Sequence, residues 1–94
     1  MPLFILLSTL TQQGVQTLKS NPERLRAVNQ DVEELGCKVI HQWATLGEFD
    51  FVNVVEAPDV ETMAKVSVAL GARGSVRIET LPALEIEDFL RALE

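Results

Sequence analysis

A single α+β domain of β-α-β-β-α-β order, closed by one further helix, is the fold class that the sequence predicts. Three observations predict it. The hydrophobic pattern switches between two-residue alternation and three- or four-residue spacing in that order along the chain. Glycine, proline and capping residues stand at the joints between those segments. Finally, 94 residues that are 47% hydrophobic hold material for one core and leave no room for a second domain.

The elements follow in chain order. Leu3 to Leu10 is apolar on both alternating faces, interrupted by Ser8 and Thr9, the pattern of a strand covered on two sides. Thr11 caps a short helical turn over Gln12 to Ser20, and Asn21-Pro22-Glu23 starts a helix that runs to Leu35. Leu25, Val28, Val32 and Leu35 form its apolar stripe, with Gly36 as a left-handed C-terminal cap. Cys37 to Leu46 and Phe49 to Glu56 read as an antiparallel pair joined by a two-residue II′ turn at Gly47-Glu48. Asp59 caps a second main helix from Val60 to Leu70, with Met63, Val66 and Leu70 inward and Gly71 at its end. Gly74 opens a fourth strand, Val76 to Leu81, stopped by Pro82. Glu85 to Leu93 forms a last helix with Ile86, Phe89, Leu90 and Leu93 on one face.

Two strand-helix-strand halves give the ferredoxin-like order, whose right-handed crossovers put both main helices on one face of a four-stranded sheet. The other face is left bare. Because the first strand is apolar on both sides, a cover is expected from the C-terminal helix, from a second subunit's sheet, or from both. A sheet-to-sheet homodimer is the preferred solution.

Charge and composition exclude several classes. A net charge of −6 with eight scattered basic residues gives no nucleic-acid groove, since phosphate binding draws on clustered Lys and Arg. Lys19, Arg24 and Arg26 are interleaved with Glu23 and followed by Asp31, Glu33 and Glu34, which reads as a solvated helix surface. The apolar run Leu3 to Leu7 is too short to span a bilayer and has no basic start or cleavage site, so no membrane partner is expected. A lone Cys37 forms no internal disulfide, which fits a reducing cytoplasm.

The hairpin segment reads Trp43-Ala44-Thr45-Leu46-Gly47-Glu48-Phe49-Asp50-Phe51-Val52 and continues through Asn53 and two valines into Glu56-Ala57-Pro58-Asp59. It resembles the GYD-domain family, named for a Gly-x-Tyr-Asp type of segment here and commonly followed by a Glu-Ala-Pro-Asp helix entry. Thr11-Gln12-Gln13-Gly14 looks like that family's Thr-x-x-Gly, and Gly74 with Thr80 looks like its late Gly and Thr. The resemblance implies a ferredoxin-like subunit that associates as dimeric α/β barrels do, and it supplies no catalytic residues. Phe49 stands in place of the family tyrosine, so any role for that hydroxyl is absent here. Gly47, Phe49 and Asp50 are therefore read as a structural motif.

Counting from the Gly47-Glu48 turn, Thr45 faces Asp50, Trp43 faces Val52, Gln42 faces Asn53 and His41 faces Val54. One side then holds His41, Trp43, Thr45 and Asp50, and the other holds Gln42 and Asn53 beside Phe51. Which of them meets the helices is open. His41 is the natural acid/base if the chain is an enzyme, but no nucleophile-base-orienter set assembles around it. Asp50 suits bonding to Thr45 or to the turn amides of Gly47 and Glu48. Trp43 suits packing or a planar ligand. Cys37 and His41 share a strand face in this register but stand too far apart to chelate one ion, so no metal is expected. Cys37 is read as an inert thiol.

No phosphate-loop, dinucleotide, nucleophile-elbow or zincin motif is present, and no cofactor is expected. The favoured function is a non-catalytic, oligomeric small-molecule-binding or regulatory module, with His41, Trp43, Gln42 and Asn53 as candidate lining of a site for a small apolar ligand. The alternatives are a small cofactor-free oxygenase or isomerase using His41, and a structural subunit that binds other proteins.

Overall fold

A computed structural model describes residues 2–94. The elements are β1 (Leu3–Leu10), α1 (Gln12–Ser20), α2 (Arg24–Glu34), β2 (Lys38–Ala44), β3 (Phe51–Glu56), α3 (Val60–Ala72), β4 (Val76–Ala83) and α4 (Ile86–Ala92). The four strands form one antiparallel sheet in the order β2-β3-β1-β4, the ferredoxin-like arrangement.

The core lies between one sheet face and the main helices. Phe4 and Leu6 of β1 and Val55 of β3 pack with Val32 of α2 and with Met63, Val66 and Leu70 of α3. Met63, Val55 and Val66 are fully buried, each contributing about 1.5–3 kcal/mol by removal from water. The alternation of β1 is visible directly: Phe4, Leu6 and Ser8 are buried, while Leu3, Ile5 and Leu7 between them are half-buried on the open side.

Several boundaries differ from the sequence reading, each for a local reason. The helix expected from Asn21 to Leu35 begins at Arg24. Asn21 instead ends α1, its N–H donating to the Thr17 carbonyl, and Leu35 has left the helix and is exposed. The segment after Thr11 is a full nine-residue helix rather than a short turn. Helix α3 passes through Gly71 to Ala72, because the positive φ needed to leave the helix falls on Gly74, at 78°. Strand β4 continues through Pro82. It is an edge strand, so a residue without an N–H is tolerated there.

The hairpin keeps the expected register but not the expected turn. Trp43 faces Val52, Gln42 faces Asn53 and His41 faces Val54. The ladder closes at Thr45, whose N–H donates to the Asp50 carbonyl at 2.8 Å and whose hydroxyl donates to the Phe49 carbonyl at 2.6 Å. Leu46 to Phe49 therefore form a four-residue loop instead of a two-residue turn, with Gly47 at φ 140° and Leu46 fully exposed.

Strand β2 carries a second departure. Val39 pairs with Val55 and His41 with Val54, so Ile40 is the extra residue of a β-bulge. The bulge resets the alternation. Cys37 and Val39 before it belong to the core, and Gln42 after it returns to the same side, so Cys37 and His41 do not share a face.

The C-terminal helix does not cover its own sheet. No residue of α4 is buried, and Ile86, Phe89, Leu90 and Leu93 are all exposed.

Candidate functional site

Between the helix-facing side of the sheet and α1, α2 and the end of α3 lies a cavity of about 110 Å³, partly open to solvent. Its apolar walls include Leu6, Val28, Val39, Phe51, Val55 and Ile78. Ser8, Asn29, Gln42, Asn53, Arg24 and Arg73 supply the main polar groups. A concave, mostly apolar space with few convergent polar groups is the form that small-molecule sites take. On the opposite side of the sheet a broader depression of about 380 Å³, lined by Leu7, Thr9, Glu48, Phe49, Arg77, Ile78 and Glu79, has a half-polar lining and lacks that enclosure.

Each polar group of the cavity has a traceable placement. Gln42 reaches it because of the bulge at Ile40; without the extra residue, His41 would point there instead. Asn29, one turn before Val32 on α2, pairs with Gln42 through two amide hydrogen bonds of 2.7 and 3.2 Å, tying helix to sheet. Arg73, at the end of α3, donates from Nη2 to the Asp31 carboxylate of α2 at 2.8 Å, which ties the two helices together. Among the described residues, two buried side-chain atoms of cavity-lining residues have no protein partner: the Asn53 side-chain carbonyl and Arg73 Nη1. Buried polar groups are normally paired, so such exceptions call for an explanation.

The residues anticipated for a site are divided by the sheet. Gln42 and Asn53 line the cavity. His41 and Trp43 stand on the open side, exposed, with their rings stacked at 5.1 Å between centroids. Sequence reading missed Arg73, Asn29 and Ser8. Ser8 was visible as a polar residue inside an apolar strand, whereas Arg73 sits in a helix end that resembles any exposed one.

Asp50 serves the fold. Its carboxylate accepts the Leu10 N–H at 2.8 Å, and its own N–H donates to the Ser8 carbonyl at 2.8 Å, so it fastens the end of β1 rather than the Gly47 and Glu48 amides. Thr11 meets the same end of the sheet. Its hydroxyl accepts the Gly14 N–H at 3.1 Å and donates to the Gly74 carbonyl at 2.6 Å, while its N–H donates to the Ser75 carbonyl at 3.0 Å. Gly14 lies so close to β4 that an added Cβ would fall 2.0 Å from the Ser75 carbonyl oxygen. Thr11, Gly14, Asp50 and Gly74 thus converge where β1 leaves the sheet.

The GYD domain family model matches residues 4–93. The chain belongs to the GYD-domain family. A relative from Thermus thermophilus, the "Glutamine synthetase and cystathionine beta-lyase binding protein", is 50% identical over 95 residues, covering all of both chains. No solved structure matches. The Thr-x-x-Gly, Gly-x-aromatic-Asp and late Gly segments of this GYD chain meet at one structural junction, and the cavity lies beside it, with Gly14, Leu10 and Ser75 in its lining.

Elsewhere the titrating groups are unremarkable as sites. Burial, with a smaller contribution from Asp59, holds the Cys37 thiol above its ordinary pKa, which favours the protonated form. The Asp59 carboxyl is held below the usual carboxylate range by hydrogen bonding to Thr62 at the start of α3, to its side chain first and its backbone N–H second. Among the described residues no group of three or more His, Cys, Asp or Glu is placed to hold a metal ion, and no helix is long and apolar enough to cross a membrane.

Proposed function

We propose that this GYD protein is a non-catalytic, cytoplasmic binding module that docks on metabolic enzymes and takes a small, largely apolar molecule in its helix-side cavity. One observation carries the non-catalytic reading. The cavity lining contains arginines, amides and hydroxyls but no histidine, cysteine or carboxylate, the groups that general acid-base or nucleophilic steps draw on near neutral pH. His41, the one histidine, is on the far side of the sheet, so the enzyme reading loses its acid/base group. The relative's printed name supplies the kind of protein partner: glutamine synthetase and cystathionine β-lyase.

The open sheet face is assigned to a second copy of the chain. Across it run His41, Val54, Ile5 and Leu81 in one register row and Trp43, Val52, Leu7 and Glu79 in the next, an apolar centre with polar margins. Such a patch suits self-association, and α4, unpacked on its own subunit, is free to reach across to the neighbour.

The test is direct binding of the purified chain, immobilised, to purified glutamine synthetase and cystathionine β-lyase from the same organism. Saturable binding to either enzyme is expected. Absence of binding to both, with the protein folded, would overturn the proposed enzyme partners.

A further inference from the structure

The walls of the cavity are held very unequally. Helix α3 buries Met63, Val66 and Leu70, and β1 buries Phe4, Leu6 and Ser8. From Val15 to Asp31, by contrast, no residue is buried: α1 buries only Gly14, near its start, and α2 only Val32, near its end. Yet this stretch lines the cavity with Thr17, Leu18, Leu25 and Val28, all half-buried over a space of about 110 Å³ that they leave unfilled. Its apolar side chains therefore gain only part of the free energy that full burial supplies.

The two ends of the stretch are fastened. At one end Thr11 bonds to Gly14, Gly74 and Ser75, and Gly14 lies tight against the Ser75 carbonyl. At the other, Val28 packs against the core, Asn29 and Gln42 exchange two amide hydrogen bonds, and Arg73 holds Asp31. A segment fastened at its ends and weakly packed between them opens as a unit at lower free energy than the core. Opening also unravels it. Helices of nine and eleven residues fall below the ~12–15 at which isolated helices become even marginal in water, so lifting the pair off the sheet removes what keeps it helical.

We propose that residues 15–27 form a lid on the helix-side cavity, which opens by detaching and unravelling between its two fastenings and is held shut when an apolar molecule fills the space beneath it. An occupant supplies the contacts that Leu18 and Leu25 lack in the empty protein, so filling the cavity and ordering the lid are coupled. This rests on the reading of the cavity as a binding site, and it adds how that site is entered and closed.

The test is amide hydrogen exchange on the isotopically labelled full chain, followed residue by residue, with xenon as the probe, a single apolar atom of the kind that enters dry apolar cavities. In the free chain, amides of residues 15–27 are expected to exchange at least about tenfold faster than those of α3 and β1 and to share one dependence on low urea, the mark of a unit opening together. Under xenon their rates should fall by a factor that grows with pressure, about twofold at half occupancy, relative to helium at the same pressure. A chain carrying both Leu18→Asp and Leu25→Asp, which puts carboxylates on the underside of the lid, should lose helical chemical shifts over 15–27 while Phe4, Val55, Met63 and Val66 keep their core signals. Lid rates as slow as those of α3, a lid that stays helical in the double variant, or a core that unfolds with it would overturn the proposal. A lid that opens in the free chain yet exchanges equally under xenon and helium would overturn the cavity as a binding site, and the closing role with it. No enzyme partner is present, so the outcome is independent of the docking experiment.

Discussion

Gly14 shows how much one position can carry without any side chain. It is buried at the start of α1 against the carbonyl that precedes β4, and the 2.0 Å that would separate an added Cβ from the Ser75 oxygen leaves no room for a methyl group. Relief would require parting α1 from β4, which would also stretch the Thr11 bonds to Gly74 and Ser75. Gly14→Ala is expected to destabilise the fold by about 1–3 kcal/mol or more, the range of forced overpacking, measured as a lower midpoint in urea. A midpoint equal to that of the unsubstituted chain would remove the close-approach account. Asp50 acts at the same junction through its carboxylate, which explains why an aspartate follows the hairpin loop although it does not cap the turn.

At the scale of elements, local chemistry sets where helix α3 begins. Asp59 has extended backbone and its carboxylate accepts the Thr62 N–H at 2.7 Å, the N-cap arrangement. The Thr62 side chain first, and its N–H second, favour the ionised form through hydrogen bonding, so the folded carboxyl titrates lower than the unfolded one. A depressed folded value means a contribution to stability that is present at neutral pH and lost as the pH falls through that value. Asp59→Ala is therefore expected to lower the thermal midpoint at neutral pH, with the gap to the parent closing in acid. A gap that stays constant with pH would show that the cap acts without its charge. The bulge at Ile40 is the other decisive local event, because it selects Gln42 over His41 for the cavity.

For the whole molecule, the sheet has one face closed by helices and one left open, and α4 extends from the last strand with its apolar side unpacked. The chain measures 51 × 29 × 18 Å along its principal axes, long for its size. A second copy on the open face would bury Ile5, Leu7, Val52 and Val54 and give α4 something to pack against. The parent protein is expected to run as a dimer by light scattering. Ile5→Lys, at the centre of the row between Val54 and Leu81, is expected to raise the dissociation constant at least tenfold while leaving the core signals intact. A parent that is monomeric at all concentrations would eliminate the assigned use of this face.

Strand order, helix positions, hairpin register and family were legible because they follow from periodicity, caps and short motifs, all of which are local. Counting outward from Gly47-Glu48 placed His41 opposite Val54 correctly even though the turn itself is longer than expected, since the closing pair Thr45 and Asp50 is common to both. Counting inward from Cys37 failed, because a bulge adds a residue without leaving any mark in the hydrophobic pattern. The site divides along the same line. Gln42 and Asn53 could be named from the strand, but their placement toward the helices, and that of His41 and Trp43 away from them, required the packed sheet. Arg73 could not be read as part of a site at all. By itself the sequence determined the elements and their order, because those depend on neighbours a few residues apart. The tertiary structure alone decided which sheet face closes over a cavity and which buried atoms of its lining residues remain unpaired, because both depend on groups from helices and strands distant in the chain, as in the bond from Arg73 to Asp31.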